Sequence, residues 1–158
     1  MIGQPWTVAT VRTHVAGIHE ALVPLWRGVR DLPPLAFLFI EDGRCVAIPD
    51  VYEVPREILP QVLRKLSETH GAQYVAFAAD AYSTRDMEQA EVEAWYAQGR
   101  SLSEHPQARR SLVLSVDGPG MSDVTVTVLD DEGCEVTETV SHAVSGRLTN
   151  LSGRLGEN

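Results

Sequence analysis

The sequence predicts an α+β domain: a mostly antiparallel sheet of five to six strands with two to three packed helices, in the order α-β-β-α-β-α-β-β-β. Three observations carry this prediction. The chain opens on an apolar stripe at heptad spacing. Paired strand-like runs stand at 35–48 and 124–140, and between them Gln73 to Tyr82 reads as the central strand. With 158 residues, 44% of them hydrophobic and 22% charged, a single domain can bury roughly 70% of the surface its unfolded chain exposes. The expected division is one domain over 1–144 and a tail over 145–158, with the helices on one face or at one end of the sheet.

Residues 7 to 29 place Val8, Val11, Val15, Ile18, Leu22, Leu25 and Val29 at alternating spacings of three and four, and Thr7 can cap the start. Pro24 has no N–H to give residue 20, so the helix is expected to kink near 20 to 24 or to end there. Such a stripe either lies on the sheet or packs against its twin in a dimer. After Asp31-Leu32-Pro33-Pro34, Leu35 to Ile40 is continuously apolar, Glu41 to Arg44 turns and Cys45 to Ile48 returns, a hairpin whose first strand is buried on both faces. Val54 to His70 reads as the second helix, with Ile58, Leu59, Val62, Leu63 and Leu66 on one face and Gly71 as C-terminal cap. Pro60 must bend or delay its first turn.

The central strand has two unlike faces, Tyr74, Ala76, Ala78 and Asp80 on one and Val75, Phe77, Ala79 and Ala81 on the other. The small residues leave room for a helix or a ligand. Met87 to Gln98 reads as a short acidic helix with Met87, Ala90, Ala94 and Trp95 inward, and a polar connection, Gly99 to Arg110, leads to a strand from Ser111 to Val116. Asp117-Gly118-Pro119-Gly120 is a turn, and the run from Val124 to Val128 pairs with Cys134 to Val140 as a half-exposed hairpin with its acids on the turns and outer face. In the tail, Ser145-Gly146-Arg147-Leu148 recurs as Ser152-Gly153-Arg154-Leu155, placing Val144, Leu148, Leu151 and Leu155 on one helical face.

Composition excludes more than it assigns. Net charge is −9, and from Ser111 to Gly146 seven acids meet no Lys or Arg, which argues against a nucleic-acid surface there. No apolar run approaches the ~18 residues of a membrane span and the start lacks a signal-peptide pattern, so a cytoplasmic protein is expected. Cys45 and Cys134 belong to no Cys-x-x-Cys motif and read as reduced thiols. There is no Gly-x-Gly-x-x-Gly, phosphate loop or Gly-x-Ser-x-Gly. His14 and His19 lie five apart, about 140° around a helix, which is the wrong spacing for a shared metal. They read as solvent-facing, and neither a metal nor a cofactor is expected.

Two sets of candidate residues remain. Asp80 closes the central strand, and with Arg109, Arg110 and His105 it could form a ligand site if the connection from 99 to 110 folds back over it; the structural alternative is a salt bridge or cap. Val8, Val11, Val15, Ile18 and Leu22 in the heptad stripe, with Leu148, Leu151 and Leu155 in the tail, could form a protein interface. The stretch Asp80-Ala81-Tyr82, followed by Ser103-Glu104-His105-Pro106, Arg109-Arg110 and a strand from Leu112, resembles a pattern in uncharacterised small proteins of phages and bacteria. Aspartate stands here where that pattern has glutamate, and tyrosine where it has tryptophan. The resemblance covers about 40 residues, implies a mobile-element accessory protein and carries no activity. The expected function is therefore a non-enzymatic protein that binds itself, as a homodimer or larger, or another protein. The alternatives are a small-ligand-binding protein or enzyme using Asp80 and the 99–110 loop, and an acidic decoy for a basic partner using the hairpin from 117 to 140.

Overall fold

The computed structural model describes residues 5–29, 32–48, 51–55, 57–83, 88–101, 104–107 and 109–141. The elements are α1 (Val8–Gly28), β1 (Leu35–Ile40), β2 (Cys45–Ile48), a single 3-10 turn (Val51–Glu53), α2 (Leu59–His70), β3 (Ala72–Ser83), α3 (Gln89–Ala97), β4 (Arg109–Gly118), β5 (Met121–Leu129) and β6 (Glu135–Ser141). The strands form one antiparallel sheet in the order β2-β1-β3-β4-β5-β6, so the α+β class and the element order are as the sequence predicts. The helices, however, occupy both faces.

Strand alternation explains why. Phe39, Tyr74, Ala76, Ala78, Leu112, Leu114 and Val116 meet Val11, Val15, Leu22, Val23 and Trp26 of α1 in one core cluster. Ala36, Leu38, Ile40, Val75 and Phe77 point the other way and meet Leu59 and Leu63 of α2 in a second. β1 and β3 are thus apolar on both sides and need two covers. Ala76 and Ala78 are the small residues over which α1 passes.

Thr7 caps α1 reciprocally with Thr10, whose side chain returns a bond to the Thr7 N–H. Of the two outcomes expected at Pro24, an end is not seen: the helix continues to Gly28. Glu20 and Pro24 both face water, so the Glu20 carbonyl that loses its partner can be solvated. The stripe also drifts: Leu22, Val23 and Trp26 are buried, whereas Leu25 and Val29 are 56% and 40% exposed. A helix of 3.6 residues per turn rotates about 20° per heptad away from a 3.5-residue repeat, so a strict heptad stripe leaves the buried face over three heptads.

α2 begins later than expected, at Leu59, and Pro60 sits in its first turn where a missing N–H costs nothing. Gly71 ends it in the left-handed region at φ 65° with its N–H on the Ser67 carbonyl. α3 buries no residue, so Ala90, Ala94 and Trp95 do not form an inner face; Met87 lies outside the described residues. The β4–β5 turn is tight. A Cβ on Gly118 would come within 2.3 Å of the Tyr74 ring, which makes glycine necessary there, while Tyr74 donates its hydroxyl to the Pro119 carbonyl. Asp117 and Asp123, expected on a turn and an outer face, are 1% and 7% exposed. Both sit inside strands that run past the turn. Cys45 and Cys134 are free thiols, half-buried and exposed respectively.

Candidate functional site

Asp80 and Arg110 are brought together, but by neighbouring strands and not by a loop folding back. Tyr82 pairs with Arg110 and Asp80 with Leu112 across β3 and β4, so the two side chains stand diagonally on the α1 face. Arg110 donates from Nε to both carboxylate oxygens at 3.0 Å and from Nη2 to Oδ2 at 2.6 Å. The Trp26 indole N–H and the Leu32 backbone N–H also point at Asp80, at 3.4 and 3.1 Å. Arg110 further donates to the Trp26 carbonyl at 2.8 Å and lies 5.2 Å from the Trp26 ring centre. The carboxylate therefore ties β3 to β4, to the end of α1 and to the chain after it. Asp80 is only 10% exposed, and these contacts give it a structural role.

Arg109 and His105 are directed elsewhere. Arg109 precedes Arg110 in β4, so alternation sends it to the other face, where it donates to the Leu129 carbonyl and to Asp131. His105 packs edge-on against Trp95 at 4.3 Å and accepts from the Gln107 N–H through Nδ1. Arg100 covers the same indole at 3.8 Å, and the indole N–H donates to the Ser101 carbonyl. These contacts staple α3 to the connection that follows it. Trp95 is thereby occupied locally, which explains why α3 does not cover the sheet.

Of the candidate interface residues, Val11, Val15 and Leu22 lie in the core against the chain's own sheet, and Val8 and Ile18 pack partly buried at its margin. Leu148, Leu151 and Leu155 lie outside the described residues.

Sequence reading missed a polar seam that runs along α1 one position from the apolar stripe. Arg12 makes a two-pronged contact to Asp123 at 2.9 and 3.2 Å. The Nε2 of His19 is 2.7 Å from the Thr127 hydroxyl, and Arg27 donates to Glu135 at 2.7 Å and to the Gly133 carbonyl at 3.2 Å. The helical positions 12, 19 and 27 recur about every two turns, and their partners descend β5 into β6. The signal was present as a second heptad series, but its residue types did not reveal a partner. His19 is accordingly half-buried and not solvent-facing. Burial lowers its pKa from the ordinary histidine value, with Glu135 opposing the shift.

Beyond His19 the α1 face of β5 and β6 carries hydroxyls where β1 to β4 carry hydrocarbon. Thr127 and Thr137 are 2.9 Å apart, and Thr125 and Thr139 are 3.0 Å apart. A cleft of about 340 Å³ lies between this array and the flank of α1. β6 itself is the edge of the sheet, and six of its seven residues are exposed. Among the described residues no group of His, Cys, Asp and Glu could hold a metal, and no helix is long and apolar enough to cross a membrane. Comparison with protein-family models, with curated proteins and with solved structures finds no match.

Proposed function

We propose that the chain is a non-enzymatic protein-binding module that engages a second copy of itself or another protein along β6. The observation that carries this reading is the open edge: Glu135–Ser141 reads Glu-Val-Thr-Glu-Thr-Val-Ser, no described strand pairs with its outer side, and Val140 is 52% exposed. An unpaired row of strand N–H and C=O groups is a template for an added strand, and β-branched residues suit that pairing. The opposite edge is a poorer template. β2 has only four residues, and the Trp6 indole N–H donates to the Arg44 carbonyl just before it.

Two further observations favour this reading over its rivals. The heptad residues expected to pair with a twin are occupied by the core, which moves a partner surface away from α1. Asp117, Asp123, Asp130, Asp131 and Glu135 all accept bonds from groups within the chain, which weakens an acidic decoy. An accessory role of the kind implied by the resemblance at residues 80 to 120 fits a binding surface of this type. The test is sedimentation of the wild type and of Val140→Lys at roughly 10–100 μM, the range in which weak strand pairing registers. Association by the wild type, or capture of a partner protein, should be lost in Val140→Lys at unchanged thermal stability. A wild type that is monomeric and captures nothing the variant releases overturns the proposal.

A further inference from the structure

The cleft beside α1 has the make-up of a ligand site and does not depend on the β6 edge. Its floor is apolar, from Val15, Leu114, Val116 and Met121, and its far wall carries the Thr125 and Thr139 hydroxyls. Its volume, about 340 Å³, falls in the range of roughly 300–1,000 Å³ typical of small-molecule sites. It exists because Ala16 on the helix and threonines on the strands are too small to fill the angle between α1 and the sheet.

The wall chemistry selects among ligands. Arg12, the cation at the rim, gives two of its five N–H donors to Asp123, so the pair presents no net charge to draw in a ligand anion. A ligand cation would likewise find the Asp123 charge offset by Arg12. His19 is held by Thr127 and, being partly buried, favours its neutral form. The Thr125–Thr139 pair is different. Two hydroxyls 3.0 Å apart share one hydrogen between them, which leaves the second hydrogen and spare lone pairs for a third group. We propose that the cleft between α1 and β4–β6 binds a small neutral ligand with an apolar body and one hydroxyl or carbonyl group, the body lying on Leu114, Val116 and Met121 and the polar group on Thr125 and Thr139. The rim ion pair fixes the charge selectivity, and Ala16 sets the depth.

The experiment is methyl NMR on the full chain, titrated with cyclohexanol, benzoate and cyclohexylammonium as neutral, anionic and cationic probes of similar size. Cyclohexanol should shift the Val15, Leu114 and Met121 methyl signals saturably, with a dissociation constant on the order of millimolar for so small a probe. Benzoate and cyclohexylammonium should bind at least about tenfold more weakly. Ala16→Leu fills the cleft from an exposed helix position and should abolish the shifts. Thr139→Val, which keeps the shape and removes the hydroxyl, should weaken cyclohexanol several-fold and serves if Ala16→Leu does not fold. Val140→Lys points to the other face of the sheet and should leave the titration unchanged, which separates this site from the β6 edge. The proposal is overturned if the methyls do not saturate below about 50 mM, if the shifts survive both cleft variants, or if a charged probe binds as well as cyclohexanol.

Discussion

The two ends of the sheet are held by different forces. Around β1 and β3, both faces carry closely packed apolar side chains, with Leu38 on one side and Phe39 on the other almost fully buried, and helices on the two faces cover them. Around β5 and β6, Met121 and Leu129 reach the α1 core, but most of the attachment is polar, Arg12 to Asp123, His19 to Thr127 and Arg27 to Glu135, and the space between is a cleft. Burial of hydrocarbon is non-directional and scales with area, whereas exposed ion pairs add little to stability. The first end can therefore serve as the fold's anchor and the second as its working surface. The comparison teaches where change can be tolerated.

Breaking the apolar end should cost most. Leu63→Ala at the α2 contact should lose about 2–5 kcal/mol, and Trp26→Ala about 3–5 kcal/mol, by urea denaturation. Asp80→Ala comes next, at about 3 kcal/mol, because Arg110 is left partly buried without its carboxylate; Arg110 is 29% exposed, which keeps the loss at the low end for a broken ion pair. Thr127→Val should cost about 1–2 kcal/mol, since the hydroxyl is fully buried between His19 and Thr137 and its removal leaves the partly buried His19 short of a partner. Arg27→Met should be the mildest, below about 1 kcal/mol, because both members of that pair are about 40% exposed. If Arg27→Met or Thr127→Val matched Trp26→Ala, the contrast between the two ends would fail.

The seam also predicts a pH dependence. His19 has a lowered pKa in the folded chain, so between the folded and unfolded values the unfolded state binds more protons and stability rises with pH. The contribution is fully present above the ordinary histidine value and is lost as pH falls through the lowered one. His19→Gln should flatten that slope in unfolding curves measured below neutral pH. Equal slopes in wild type and His19→Gln would remove His19 as its source.

Periodicity and composition were enough for the α+β class, the element order and the antiparallel sheet, because an alternation of two or a spacing of three and four reports directly on which faces meet a core. The opposite faces of the central strand, the Thr7 cap, the Gly71 cap and the buried β1 were legible for the same reason. Of the candidate ligand residues, a salt bridge at Asp80 was legible but not that Arg110 makes it, and Arg109 and His105 point elsewhere. Adjacency in sequence sends neighbours in a strand to opposite faces, and Trp95 captures His105 locally. Only the tertiary structure decided that both faces are covered, that α1 continues past Pro24 to Gly28, and that Asp117 and Asp123 are buried. It also decided that positions 12, 19 and 27 of α1 meet β5 and β6 across more than a hundred residues of chain. Such links depend on which strand lies beneath which helix turn, and a sequence carries no local mark of that. The hydroxyl-lined cleft and the open β6 edge belong to the same class: each is a gap, and a gap is defined by where its neighbours stop.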